Sequence, residues 1–142
     1  MTNPSKTIPP PISVSRRDFD RLEALLDSPR WQKHPGAEAL MRELERARVL
    51  EPEQVTPDLV TMNSTVTCVD ESSGREHTFT LAYPHEADAA QHRVSVLAPA
   101  GAALLGLSIG QTIDWSGPDG RPLRLRVAAI SYQPEAAGDF HL

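Results

Sequence analysis

The chain lacks the means to staple itself: its 142 residues include one cysteine, Cys68, and so no internal disulfide. That cysteine lies among alternating Val and Thr residues and reads as a small core side chain rather than a reactive thiol. Apolar residues reach 39%, enough for a modest core, but aromatics only 5%. Positive charge is not in excess either. Fourteen Lys and Arg face 19 Asp and Glu, for a net charge of −5 and a pI near 5.5. This argues against a protein that grips bare nucleic acid by its phosphates. A charge of this size is ordinary solubility and names no partner. There is no apolar run of membrane-spanning length. The first residues, MTNPSKTIPPPIS, carry four prolines and do not form a signal peptide, so the cytoplasm is the expected compartment. The five histidines, His34, His77, His85, His92 and His141, show no H-x-H or H-x-x-x-H pairing, and neither a metal site nor a cofactor is expected.

What is present divides the chain in three. Residues 1–14 read as an extended or disordered segment, with Pro9-Pro10-Pro11 favouring polyproline geometry. Ser15 is an N-cap candidate with Asp18 in the first turn, and Phe19, Leu22, Leu25 and Leu26 follow at helical spacing until Pro29. A second helix starts near Gly36-Ala37, with Ala37, Leu40, Met41, Leu44 and Ala47 apolar, and Pro52 closes it. Residues 15–52 therefore read as a short antiparallel helical hairpin, a coiled coil about 20 Å long, which must lean on something to be stable.

Beyond Pro57 the period falls from 3.6 to 2. Val60, Met62, Ser64, Val66 and Cys68 share one strand face, and Ser72-Ser73-Gly74 turns the chain into a strand carrying Phe79, Leu81 and Tyr83. Further strands are expected at 92–99, 111–115 and 122–132, with a short helix at 100–105 and an Asp119-Gly120 turn between the last two strands. In 122–132, Leu123, Leu125 and Val127 have one parity while Ile130 and Tyr132 have the other. This predicts a bulge near Ala128-Ala129 or burial on both faces. The fold class is α+β: a helical hairpin followed, over 53–142, by a mainly antiparallel five-stranded sheet with one short helix.

One stretch, Gly106-Leu107-Ser108-Ile109-Gly110, fits the G-x-S-x-G pattern of serine hydrolases. A nucleophile elbow joins a strand to a following helix. Here the helical segment precedes the motif and the strand follows it, and the only histidine after Ser108 is His141. Gly101 and Gly106 do not make a phosphate loop, because no G-K-[ST] ending follows. No residue is assigned a catalytic role.

From Val60 onward the sequence resembles the C-terminal domain of the bacterial Gre-type transcription elongation factors. Within that superfamily it most resembles the family of the regulator of nucleoside diphosphate kinase. The stretches that carry the resemblance are VTMNSTV (60–66), LAYPHEAD (81–88), SVLAPAGAALLGLSIGQTIDW (95–115) and YQPEAAGDF (132–140), and the two-helix N-terminus matches too. The resemblance implies an FKBP-like C-terminal fold on a short coiled coil, and binding to RNA polymerase near the rim of its secondary channel, where the Gre factors bind. It implies neither sequence-specific DNA binding nor membrane attachment. The family is named for an effect on nucleoside diphosphate kinase levels, which does not require contact with that kinase.

One departure bears on mechanism. Gre factors carry paired acids at the tip of a long coiled coil, where they help hold a catalytic Mg²⁺, an ion that prefers oxygen ligands. Here the tip, DSPRWQKHPG (27–36), has one acid, Asp27, at its edge, and Arg30, Lys33 and His34 within it. The expectation is binding that competes with Gre factors and leaves the transcript uncut. An adaptor for a metabolic enzyme, such as the kinase of the family name, is the alternative. A prolyl isomerase is a third reading, resting on fold analogy alone.

The candidate partner-binding residues are Trp31, Arg30 and Lys33 at the tip, and Leu104, Leu105 and Leu107 beside the short helix. Trp31 either anchors a partner or folds back over the ends of the helices. The three leucines either close the core or extend an apolar patch. Arg121, Arg124 and Arg126 read as a solvated strand face. Asn63 reads as a residue that satisfies local backbone.

Overall fold

The computed structural model describes residues 12–116 and 122–139. The order of elements is β1 (Ser13–Ser15), α1 (Arg16–Asp27), α2 (Ala37–Arg46), β2 (Arg48–Leu50), β3 (Thr65–Asp70), β4 (Glu76–Ala82), β5 (Arg93–Ser95), α3 (Pro99–Leu104), β6 (Thr112–Ser116), β7 (Pro122–Tyr132) and α4 (Pro134–Ala137).

Each helix of the hairpin forms where its sequence signals it. Ser15 caps α1 by accepting from the Asp18 N–H, and Asp18, Leu22 and Leu26, at i, i+4 and i+8, make the buried stripe. In α2 the stripe is Ala37, Leu40 and Leu44; Glu38 stands in the first turn and Arg46 in the last, each where the helix dipole favours its charge. Met41, expected on the apolar face, is instead 46% exposed. It sits about 100° from Leu40, off the stripe.

The tail expectation over 1–14 is corrected at its end. Ile12 and Val14 are buried, and β1 pairs in parallel with β2, Ser13 to Arg48 and Ser15 to Leu50. Residues 1–11 lie outside the described residues. Neither three-residue strand is long enough to show a period in sequence. The pair clasps the base of the hairpin, bringing the entering and leaving chains side by side.

The main sheet runs β5-β4-β3-β7-β6. Three of its pairings are antiparallel, but β5 runs parallel to β4, so the sheet is mixed. In β3, Val66, Cys68 and Asp70 are buried, while Thr65 and Thr67 on the other face share hydroxyl hydrogen bonds with Thr80 and Thr78, each 2.9 Å. The parity break in β7 is a bulge. Thr67 pairs with Ala129 and Cys68 with Val127, so Ala128 is the extra residue, and a second slip falls at Ser131.

Two strands are shorter than their patterns. The alternation from Val60 is carried by a turn, not a strand: Asn63 has φ +67, and β3 begins only at Thr65. The strand expected over 92–99 is confined to 93–95, because Val96 and Leu97 turn into the core and α3 starts at Pro99. The helix α4 was not expected. The Asp119-Gly120 turn lies outside the described residues.

The core is continuous between hairpin and sheet. Leu22, Leu26, Leu40 and Leu44 pack in one cluster with Val60, Met62, Val66, Leu81, Leu97, Leu104 and Val127. The support that the short hairpin needs is therefore the sheet body. At the far end of the hairpin the approach is tightest at Gly36, where a Cβ would sit 1.9 Å from the Leu97 carbonyl oxygen. Gly36→Ala is accordingly expected to cost about 2 kcal/mol or more, since backbone stands in the way. Urea unfolding of the variant checks this, and an unchanged midpoint would show that the tip is not held on Leu97.

Candidate partner-binding site

The tip between α1 and α2 is a run of tight turns. The N–H groups of Trp31, His34 and Ala37 donate in succession to the carbonyls of Ser28, Trp31 and His34. His34 Nδ1 accepts from the Gly36 N–H at 2.9 Å. These bonds fix the tip although it contains two prolines and a glycine. Trp31 is half-buried against the core, the Arg30 guanidinium lies 4.9 Å from its ring centroid, and the His34 ring is 5.9 Å away. Trp31 folds back in part onto the core, and the Arg30 guanidinium lies over its ring. Lys33 is exposed beside it.

An open groove of about 550 Å³ runs from the tip to the sheet body, lined by Arg21, Leu25 and Trp31 on one side and Asn63, Tyr83 and His85 on the other. The rings of Tyr83 and His85 stack at 6.2 Å. Hairpin and body thus share a wall that combines aromatic and apolar surface with charge of both signs, from Arg21 and Glu86.

The leucines proposed with the tip are corrected. Leu104 and Leu105 are fully buried and Leu107 is 1% exposed, so none can meet a partner; they are core, as their alternative reading held. The apolar side chain that reaches solvent on this segment is Ile109, 42% exposed. Ser108 forms an isolated antiparallel bridge with Leu59, between two turns. Its N–H donates to Gln111 Oε1 at 2.8 Å, and Gly106 and Gly110 on either side have φ of +83 and +96. Arg124 and Arg126 lie on an exposed face, within 3.3 Å of Asp114 and 3.4 Å of Glu71 respectively; Arg121 is outside the described residues. Cys68 is buried, which pushes its thiol up to about 11 and leaves it unreactive.

The residue whose role the sequence pattern hides is Asp18. Its position in the first turn of a helix predicts an exposed acid, yet it is 1% exposed. Its Oδ2 accepts from the Met62 N–H at 3.1 Å, and its Oδ1 from the Tyr83 hydroxyl at a long 3.5 Å. The turn it supports is tied on its other side by the chain's C-terminal segment. Thr61 Oγ1 donates to Glu135 Oε1 at 2.8 Å, and Gln133 Nε2 donates to the Thr56 and Leu59 carbonyls at 2.8 and 2.7 Å. Thr61 and Met62, Tyr83, and Gln133 and Glu135 thus converge on one junction, which the first helix completes. Burial, with Glu135 nearby, pushes the Asp18 carboxyl up to about 7, against the opposing pull of the Met62 N–H, Ser15 and Arg21.

Comparison with known proteins bears on the whole chain. Residues 54–132 match the family model of the GreA/GreB transcription elongation factor C-terminal domain, and residues 10–50 match that of the Rnk N-terminus. The chain is 43% identical over 133 residues to the regulator of nucleoside diphosphate kinase of Escherichia coli strain K12, covering 94% of this chain and 98% of that one. This chain belongs to the Rnk (regulator of nucleoside diphosphate kinase) family. The Rnk fold seen here is similar to a solved GreA/GreB-type prokaryotic transcription elongation factor from Nitrosomonas europaea, with a TM-score of 0.73 and 45% identity over 87% of this chain and 99% of that one. The elongation factor GreA of Rhodospirillum rubrum is 36% identical over 87 residues, 58% of this chain and 55% of that protein. An Rnk chain is thus N-terminal helices followed by a Gre-type C-terminal domain. No helix among the described residues is long and apolar enough to cross a membrane.

A carboxyl whose folded value, about 7, exceeds its unfolded value of 3.8 holds its proton more tightly when folded. Its contribution to stability is complete below the unfolded value and is lost as pH rises through the folded one. Between these values, stability should fall by on the order of 1 kcal/mol per pH unit. Asp18→Asn, which keeps an oxygen for Met62, should lack this component. Urea unfolding of both proteins across that window provides the measurement, and parallel pH profiles would contradict the assignment.

Proposed function

We propose that this chain is a transcription regulator without chemistry of its own, which binds RNA polymerase near the secondary channel and competes there with Gre-type cleavage factors. Similarity to Gre-type factors along nearly the whole chain supports binding to the polymerase. The observation that carries the absence of cleavage is the tip itself. Residues 28–36 contain no carboxylate, Arg30 and Lys33 are exposed, and Gly36 rests on Leu97. A cationic tip repels Mg²⁺ rather than holding it. With its tip docked on the sheet body, a 12-residue α1, about 18 Å long, has no free length to send into a channel. In this reading the groove under Trp31 and the exposed Arg30 and Lys33 meet the polymerase, and any effect on nucleoside diphosphate kinase levels passes through transcription.

The purified chain is expected to co-elute with RNA polymerase, to displace a Gre factor, and to leave RNA in stalled complexes uncut. Arg30→Glu combined with Lys33→Glu should weaken binding roughly tenfold through lost charge complementarity, with the unfolding midpoint unchanged. Failure to co-elute at micromolar concentration would sink the reading. Enrichment of nucleoside diphosphate kinase without polymerase in a pull-down would favour the adaptor reading instead.

A further inference from the structure

The hairpin has a second flank. On α1, Arg21, Leu25 and Ser28 line the Trp31 groove, whereas Phe19, Glu23, Leu26 and Asp27 line a separate cleft between α1 and α2. At about 100° per residue these sets fall on opposite sides of the buried Asp18–Leu22 line. Leu26 and Leu44 form the cleft's floor and are nearly buried, Phe19 is half-buried, and Met41 stands open. Met41 and Ile109 are the two large apolar side chains exposed among the described residues. The α2 side of the cleft ends in Glu45, so its rim holds three exposed carboxylates: Glu23, Asp27 and Glu45.

None of these three joins a salt bridge among the described residues. The nearby cations are drawn to other acids: Arg16 to Glu51 at 2.9 Å, Arg42 to Glu38 at 2.9 Å and Arg46 to Glu43 at 2.6 Å. The sequence places like charge around an apolar floor and leaves it uncompensated. Like charge on adjacent helices opposes their packing.

We propose that this cleft docks a short amphipathic helix of a partner protein, one that presents two apolar side chains a turn apart with Lys or Arg on both sides. The groove between two helices accepts a third helix through anchors at such spacing. Phe19 and Met41 supply the contact surface, and the thioether of Met41 adapts its shape to the anchor. The three carboxylates select basic flanks and repel phosphate-bearing partners, whether nucleic acid or anionic lipid. The cleft, about 290 Å³, is at the floor of the size range of small-ligand pockets, roughly 300–1,000 Å³, and suits inserted side chains better than a whole cofactor. The proposal uses the flank opposite Trp31 and does not depend on the polymerase reading.

The test uses the full chain and two synthetic helical peptides, both with leucines a turn apart on one face. One has lysines flanking them and the other glutamates. Calorimetric titration is expected to give saturable binding of the lysine peptide, weakened by added salt, with the glutamate peptide at least roughly tenfold weaker. Glu23→Lys with Glu45→Lys should lose that same tenfold, and Met41→Ala should weaken binding without altering the salt dependence. All three positions are exposed, so circular dichroism should show the variants folded. Absence of saturation, equal affinity for both peptides, or undiminished binding by the charge-reversed variant would overturn the proposal. So would self-association of the chain that excludes the peptide. The Arg30 and Lys33 variant should bind the lysine peptide normally, which separates this outcome from any result with polymerase.

Discussion

One buried carboxylate holds the two parts of this molecule in register. The Met62 N–H faces inward in a turn that no strand partner reaches, and a buried donor without an acceptor costs about 1–3 kcal/mol. Asp18 supplies the acceptor from the first turn of α1, with the Tyr83 hydroxyl on its other oxygen. The hairpin is thereby fixed to the body by a directional bond as well as by apolar packing, which has little orientational preference of its own. Thr61, Gln133 and Glu135 tie the same turn from the opposite side. The position of the Trp31 groove, bounded by Asn63 and Tyr83, follows from this junction.

The regular elements were legible because their patterns are local. Ser15 with Asp18 announced a helix start, and the parity change between Val127 and Ile130 announced the bulge at Ala128. What could not be read depends on distant residues. The turn at Asn63 is hidden inside an alternation, Val60, Met62, Ser64, Val66, that a strand would also show. An acid three residues after an N-cap looks like an ordinary first-turn charge until a donor 44 positions away claims it. The leucines at 104, 105 and 107 resemble an exposed patch or a core equally well in sequence; only their place in the common core, where α3 packs against α2, β5 and β6, decides. At the tip, the residue types were legible, but the fold-back onto Leu97 was not.

The two flanks of the hairpin differ in charge for a simple reason. The buried stripe of a short helix occupies one side, and the residues on either side of it remain free to vary. On one flank the chain places Arg21, Trp31 and Arg30; on the other, Glu23, Asp27 and Glu45. Because the core between them is shared with the sheet, the flanks are held in a fixed relation. The exposed charges Arg30 on one flank and Glu23, Asp27 and Glu45 on the other can change without disturbing the packing beneath them, whereas Arg21 acts on the buried Asp18 and Tyr83.

The parallel pairing of β1 with β2 places the start and end of the hairpin side by side, so the chain enters and leaves the hairpin at one clasped base. Equal insertions into α1 and α2 would leave that clasp and the Asp18 junction as they are, and would change only how far the tip lies from the base. Yet the contact of Gly36 with Leu97 exists at one length alone. Each added turn would carry the tip about 5 Å along the helix axis and off the body. In this architecture, length sets the state: a short hairpin lies down on its own domain, and a longer one must stand free.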